Sequence, residues 1–489
     1  MKEAVNPFLP SYEYVPDGEP HIFGDRVYLY GSHDKFGGKD YCENDYVCWS
    51  ASIDNLANWR YEGVIYRKED DPKQVDRKIL FAPDVIKGKD GRFYLYYSLA
   101  HSSIISVAVC NEPAGKYSYL GDVSLADGRV YGTKAGDYYQ FDPAVFMDDD
   151  GEIYLYSGFC PRQEEDELGR KYVGCHVSKI EDDYLTMKSE PVVVINRKDD
   201  FYDETRYFEA PSMRKFGDNY YLIYSVRLGG LHYMMSKYPD RDFVYKGRLH
   251  STSDVGINGY TADKPAYPNG NTHGSLIKIK NQYYIFDHRY SNASSYSRQA
   301  VAEKIYMADD GSFKQVEATS CGLNDGPLKV KGTISSYIAC NLIDGINYKE
   351  KEEKALNSLR ISQDGPDREV GEDQYVSHIH NTCVIGYKYF ELPASTATTT
   401  LTNFSKSTNM TLNLTIRGEA KGKFNIKLIY KNSTYENVNI CFELNCKNET
   451  WTSFNTDKFP LIEGEIFAIF FKYEGEGEFE FKDFSFKKV

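Results

Sequence analysis

A turn followed by a short aromatic strand recurs five times between residues 24 and 286, and this repeat limits the fold more than any other feature. It reads Gly24-Asp25-Arg26-Val27-Tyr28-Leu29-Tyr30, then Asp90-Gly91-Arg92-Phe93-Tyr94-Leu95-Tyr96, then Asp150-Gly151-Glu152-Ile153-Tyr154-Leu155-Tyr156. The fourth and fifth copies are Gly217-Asp218-Asn219-Tyr220-Tyr221-Leu222-Ile223 and Lys280-Asn281-Gln282-Tyr283-Tyr284-Ile285-Phe286. Asp-Gly and Gly-Asp pairs suit hairpin turns, and Tyr, Phe and Ile favour strands. The anchoring tyrosines 28, 94, 154, 221 and 284 are spaced 66, 60, 67 and 63 residues apart. Short strands repeating at that period predict an all-β chain that opens with a five-bladed β-propeller of four-stranded blades. Each blade hides its faces against its neighbours, which suits strands that are nearly continuous in Tyr, Leu and Ile. Residues 1–312 are assigned to this domain.

Each repeat carries a second feature upstream of its tyrosine, a polar residue beside Pro or Gly. These are Glu19 in Gly18-Glu19-Pro20-His21, Asp84 in Ala82-Pro83-Asp84-Val85, Asp142 in Phe141-Asp142-Pro143-Ala144, Glu209 in Phe208-Glu209-Ala210-Pro211 and His273 in Thr272-His273-Gly274-Ser275. The strand before the hairpin turn is expected to be innermost, so these positions converge at one mouth of the central channel. Carboxylates that close raise one another's pKa, which keeps one acid protonated near neutrality. A structural core has no use for unpaired carboxylates.

With the repeats in place, the motifs resemble glycoside hydrolase family 43. The resemblance rests on Pro16-Asp17-Gly18-Glu19-Pro20-His21-Ile22-Phe23 with Tyr28-Leu29-Tyr30-Gly31-Ser32-His33-Asp34, on Phe81-Ala82-Pro83-Asp84-Val85, on Phe141-Asp142-Pro143-Ala144-Val145-Phe146, and on Glu209-Ala210-Pro211-Ser212-Met213. It implies inverting cleavage of arabinosides, xylosides or galactosides. Glu209 matches the general acid, and Asp142 the carboxylate that orients the acid and holds up its pKa. The general base lies in the first blade, usually as Asp before Pro. Here Glu19 stands before Pro20 and is taken as the base; Asp17, two residues earlier and on the same strand face, is the competing candidate. The resemblance further implies Asp84 as a sugar-hydroxyl ligand and Arg289 or Arg298 as a contact to substrate or a carboxylate. Asp34 and Trp49 are expected to shape the pocket. His273 is a candidate axis ligand for a calcium ion held through water, and no other cofactor is expected. Loops 35–46 and 161–171 are long enough to wall a pocket, which favours exo-action. An endo-arabinanase and a non-catalytic carbohydrate-binding propeller are the alternatives.

Beyond residue 312, alternation such as Asn413-Leu414-Thr415-Ile416 and Phe479-Glu480-Phe481-Lys482-Asp483-Phe484-Ser485-Phe486 predicts an antiparallel β-sandwich over 313–489. Asp373-Gln374-Tyr375-Val376 with Gly386-Tyr387-Lys388-Tyr389-Phe390 resembles family 6-like carbohydrate-binding modules, with a packing role favoured over sugar binding. The charged run 349–354 reads as a solvated loop or short helix. A formal net charge of -14 disfavours nucleic acid and anionic membranes, which call for basic surfaces, and fits a neutral carbohydrate partner. No apolar run reaches membrane-spanning length. The start lacks a signal-peptide core, so the expected location is cytoplasmic, or secreted if a leader has been removed. The ten cysteines are scattered without a CxxC pair, predicting free, mostly buried thiols.

Overall fold

Strand pairing follows the repeat. The computed structural model describes residues 2–75, 78–344, 358–368, 374–394 and 406–489; the charged run 349–354 lies outside them. Blade 1 is built from Glu19–Phe23, Arg26–Tyr30, Tyr46–Ser52 and Asn55–Tyr66 in that order, and blade 2 from Leu80–Lys87, Phe93–Leu99, Ile105–Cys110 and Ser118–Asp122. Blade 3 begins Ala144–Met147, Ile153–Ser157, Gly174–Ile180, and its outer edge is shared by Thr186–Met187 and Val192–Asn196. Blade 4 is Glu209–Phe216, Asn219–Ser225, Leu231–Ser236 and Val244–His250. The strand before each turn is innermost, and inner strands of consecutive blades touch.

Blade 5 departs from the expected four strands. It has three: Leu276–Ile279, Gln282–Ser291 and Ser294–Ile305. The chain start takes the missing place. The Asn6 side-chain amide donates to Ala302 O at 3.0 Å, and its oxygen accepts from Ala302 N at 3.0 Å. Asn6 thus satisfies an edge that would otherwise leave backbone groups unpaired. Phe8 then packs against Phe286 and Trp59.

Five apolar clusters sit between successive blades, and each draws on two of them. One joins Leu29 and Trp49 of blade 1 to Phe286 and Ala302 of blade 5, closing the ring. Another joins Tyr156 and Val177 to Leu222 and Tyr224 across blades 3 and 4. The tyrosines pay their hydroxyl desolvation by capping neighbouring turns: Tyr30 donates to Pro113 O, Tyr156 to Pro239 O and Tyr221 to Gly311 O.

The C-terminal strands alternate as expected but form one continuous ten-stranded sheet rather than two facing sheets. Its long members, Ser407–Tyr430, Val438–Asn455 and Ile466–Lys488, curl around a single core that includes Phe424, Phe471, Phe481 and Phe484. The ten cysteines are free, and most are buried. Among the described residues no helix is long and apolar enough to cross a membrane.

A charged joint ties the sheet to the propeller. Buried Lys388 Nζ lies 2.8 Å from Asp254 and 3.1 Å from Glu317. Removing one partner of such a group leaves an uncompensated buried charge and costs about 3–5 kcal/mol. Lys388→Met is therefore expected to lower stability by about that amount in chemical denaturation; an unchanged midpoint would show that the joint contributes nothing.

Candidate active site

The register of the five inner strands sorts the polar residues into two rings. Glu19 faces Tyr30, Asp84 faces Tyr96, Ala144 faces Tyr156 and Ser212 faces Ile223. Ser275 exchanges backbone bonds with Phe286 in the same way. Each partner lies two residues past its repeat's anchoring tyrosine, so these five residues occupy one level of the channel. Asp17, Asp142 and His273 lie two residues earlier on the same faces, one level nearer the mouth. Glu209 reaches that level across a bulge between Glu209 and Ser212. The mouth ring therefore holds Asp17, Asp142, Glu209 and His273, with Phe81, which reaches that level across a like bulge in blade 2, as its fifth position. Glu19 and Asp84 belong to the ring beneath.

The backbone at the mouth is special. Asp17, Asp142 and Ala210 have φ of 58°, 49° and 62°, a left-handed conformation that costs energy in residues other than Gly. Gly31 lets the Asp17 segment pass closely, since a Cβ there would meet Pro16 O at 2.4 Å.

In the lower ring, Glu19 is held on several sides. Its Oε2 pairs with Arg214 at 2.5 Å and accepts from Ser212 Oγ at 3.1 Å, while Ser212 and Ser275 hydroxyls lie 2.7 Å apart. Burial opposes its charge, but Arg214, His273 and His21 overcome this and pull its pKa down to about 2. Asp84 is fully engaged. His21 Nε2 is 2.7 Å from its Oδ1, and the N–H groups of Val85 and Val145 donate to its two oxygens, both at 2.8 Å. Asp84 thus stitches three blades together, and the expected sugar-hydroxyl ligand is instead a buried structural carboxylate.

In the mouth ring, one guanidinium sets the pattern. Fully buried Arg298 donates from Nη1 to Asp17 Oδ1 at 2.9 Å and from Nε and Nη2 to the Asp34 oxygens at 2.8 and 3.0 Å. Burial pushes Asp17 up, but the charges of Arg298 and His273 hold it below the ordinary carboxylate range. Asp17 N–H donates to His288 Nδ1 at 3.3 Å, while His288 Nε2 lies 3.0 Å from Asn271 O. Burial and Arg298 lower the pKa of His288, consistent with a neutral ring.

Glu209 is pushed up to about 8, first by burial and then by the charges of Asp142 and Asp17. Asp142, raised to about 7 mainly by burial, accepts from the Ala210 N–H. His273 lies between the rings, 3.7 Å from Glu19 Oε1 and 3.8 Å from Asp142 Oδ2. Burial works against its charge, but Glu19, Asp142 and Asp17 raise its pKa to about 9. The same cavity therefore contains a protonated carboxyl and an ionised one, the arrangement needed for paired acid–base work.

An arc of phenylalanines borders the mouth, Phe81 against Phe141, Phe141 against Phe159 and Phe159 against Phe208, with centroids 5.2–5.5 Å apart. Tyr41 packs with Phe81 against the cluster of Cys42, Ile79 and Ala100, its ring 5.0 Å from the Arg298 guanidinium.

Residues 6–313 match the family model described as "Glycosyl hydrolases family 43". A xylosidase/arabinosidase of Thermoclostridium stercorarium is 42% identical over 99% of both chains. The chain belongs to glycosyl hydrolase family 43. The xylosidase/arabinosidase 43A of Humicola insolens is 28% identical over 61% of this chain and 96% of its own. In three dimensions, a family 43 β-xylosidase/α-arabinofuranosidase from a compost metagenome, solved with xylotriose in a calcium-free form, superposes over 65% of this chain and 98% of its own (TM-score 0.52, 23% identity). An arabinoxylan arabinofuranohydrolase of Bacillus subtilis superposes over 100% of this chain and 99% of its own (TM-score 0.50, 18% identity). These two likenesses show the fold.

For a family 43 chain, two expected pocket residues lie elsewhere. Trp49 is buried in the seam of blades 1 and 5, donating to Glu13 Oε2 at 2.8 Å. Arg289 faces the C-terminal sheet, donating to Tyr337 O at 2.6 Å and Ala339 O at 2.7 Å. Asp34 shapes the site indirectly, through Arg298. Sequence reasoning missed Arg214, His21 and His288. His21 and Arg214 face the channel by alternation from Glu19 and Ser212, a signal that strand parity carries.

The cause of the Glu209 shift makes a pH test. The Asp142 charge helps hold the proton on Glu209, so Asp142→Asn should lower the Glu209 pKa. The alkaline limb of its pH–activity profile is expected at lower pH than in the wild type. A limb that stays in place would remove Asp142 as a cause.

Proposed function

We propose that this chain is an exo-acting, inverting glycosidase that releases terminal L-arabinofuranosyl and β-D-xylosyl residues from plant cell-wall oligosaccharides and polysaccharides. In this reading Glu209 is the general acid, Asp17 the general base and Asp142 the orienting carboxylate. The observation that carries it is the mouth ring, which sets Glu209, buried beside Asp142, at one level with Asp17, paired with the buried Arg298, so that one carboxyl is pushed towards its acid form and the other towards its anion. Glu19, expected as base, is replaced by Asp17 because it lies a level deeper and its carboxylate is engaged by Arg214 and Ser212.

Glu209 protonates the glycosidic oxygen as the bond to the sugar breaks. Asp17 takes a proton from a water attacking the opposite face of the anomeric carbon. Inversion of this kind needs about 6.5–9.5 Å between the two carboxyl groups to admit that water. Asp142 keeps Glu209 protonated and, through the Ala210 N–H, fixes the backbone that carries it. The anionic ring also favours the oxocarbenium character of the transition state. The Phe81–Phe141–Phe159–Phe208 arc helps exclude water around the acid. Release of xylose and arabinose is supported by the full-length relative in Thermoclostridium stercorarium, and exo-action by the loops walling the mouth. The complete acid–base set argues against a non-catalytic sugar-binding propeller.

The donors around His273 fit a calcium ion held through its water shell, because Glu19 Oε1 is buried there without a hydrogen-bond partner. When bound, such an ion would supply positive charge beside Glu19 and His273.

Activity on nitrophenyl α-L-arabinofuranoside and β-D-xyloside tests the assignment. Asp17→Asn should lower kcat by roughly 10²–10⁴-fold, the usual contribution of a positioned base, while Glu19→Gln stays far closer to wild type. Glu209→Gln should lose turnover of xylo-oligosaccharides but retain much of it on dinitrophenyl glycosides, whose leaving group needs little protonation. Full activity in Asp17→Asn would remove Asp17 as the base, and a wild type inert on both sugars would remove the substrate assignment.

A further inference from the structure

The mouth ring is braced from outside the propeller. Strand Arg360–Gln363 of the C-terminal sheet runs into a turn, residues 364–368, that rests on blade 1. Asp367 Oδ1 accepts from Phe36 N at 2.7 Å, and its Oδ2 accepts from Asn44 Nδ2 at 3.0 Å. A single carboxylate therefore joins the two ends of loop 35–44. Beside it, Arg368 Nη1 donates to Glu13 Oε1 at 2.6 Å, and Tyr14 OH donates to Gln363 Oε1 at 2.7 Å.

The connection continues inward without a gap. Asn44 Nδ2 also donates to Asp34 O at 2.9 Å, and Cys42 N donates to Asp34 Oδ1 at 3.0 Å. Asp34 in turn holds the Arg298 guanidinium and its backbone N–H, and Arg298 holds Asp17. Tyr41, within the same loop, lies on Arg298. By contrast, the Lys388 joint ends on Asp254 and Glu317, neither of which bonds a mouth-ring residue.

We infer that Asp367 is a positioning residue of the active site: the C-terminal sheet clips loop 35–44 with this carboxylate and thereby fixes Asp34, Arg298, the Tyr41 wall and the base Asp17. The last step rests on the assignment of Asp17 proposed above. The sheet is then part of the catalytic unit, whether or not it also binds sugar. An aspartate suits the clip because both partners are donors and an ionised carboxylate offers two acceptors. Asparagine keeps one acceptor and presents an N–H to the other donor.

The test compares Asp367→Ala and Asp367→Asn with wild type in two measurements on the full chain. Hydrogen exchange followed by mass spectrometry reads the loop directly, independently of activity. Peptides covering 35–44 are expected to exchange faster in both variants. The pH dependence of kcat/KM on nitrophenyl α-L-arabinofuranoside reads the chemistry. Loss of the clip should lower kcat/KM by about tenfold or more, since misplacement of roughly 1 Å can cost 10²-fold. It should also move the acidic limb to higher pH, because a looser Arg298 stabilises ionised Asp17 less. If Asp367→Ala does not fold, Asp367→Asn carries both readouts. Wild-type exchange of 35–44 in the variants would overturn the inference. So would faster exchange with kcat/KM unchanged, which would mean the contact is only a domain joint. Faster exchange and lower kcat/KM with an unmoved acidic limb would instead count against Asp17 as the base and leave the clip standing.

Discussion

The site depends on one buried cation. Arg298 is 2% exposed, so its charge must be met by anions inside the protein. It is met by Asp34 and Asp17, each within hydrogen-bonding distance. That requirement places Asp17 in the mouth ring, keeps it ionised and gives the cavity a fixed negative charge. The same charge falls on Glu209 and helps keep it protonated. Burial and the charges of Asp142 and Asp17 hold the proton on Glu209 while Arg298 keeps Asp17 ionised, so two carboxyl groups in one cavity take opposite protonation states. His273 offsets the remaining charge between the rings.

The propeller was legible in the sequence because its signals are local. Turn dipeptides and aromatic strands repeat at a nearly constant period, and a blade needs little else. Blade 5 was not legible as a three-stranded sheet, since its completion by Asn6 depends on a contact with Ala302 nearly three hundred positions away. The C-terminal strands were visible as alternation, but alternation does not count sheets. Strands as long as Ser407–Tyr430 can bend over their own core, and one sheet then does the work of two.

Glu209 and Asp142 stand at the channel mouth, as the repeats place them, and the choice between Asp17 and Glu19 is where local reasoning meets its limit. Asp17 and Glu19 share a strand face, so parity cannot separate them. Their level can. Asp17 and His273 each stand eleven residues before their anchoring tyrosine, and Asp142 and Glu209 twelve. Glu19 stands nine before and Asp84 ten. The two outliers are the residues that the register places in the lower ring. Proline beside Glu19 and Asp84 made them look equivalent to Asp142, but proline marks backbone restriction rather than height in the channel. Arg289 and Arg298 could not be told apart in the sequence either, because only the pairing of blade 5 decides which guanidinium faces the axis and which faces the C-terminal sheet.

The most direct measurement is chemical rescue. A base replaced by glycine leaves a cavity beside the anomeric carbon, where a small anion can take the place of the attacking water. Azide is expected to restore turnover to Asp17→Gly on an activated xyloside and to yield a glycosyl azide of inverted configuration, while Glu19→Gly gives no azide product. Azide product from Glu19→Gly and none from Asp17→Gly would contradict the two-ring account of this site.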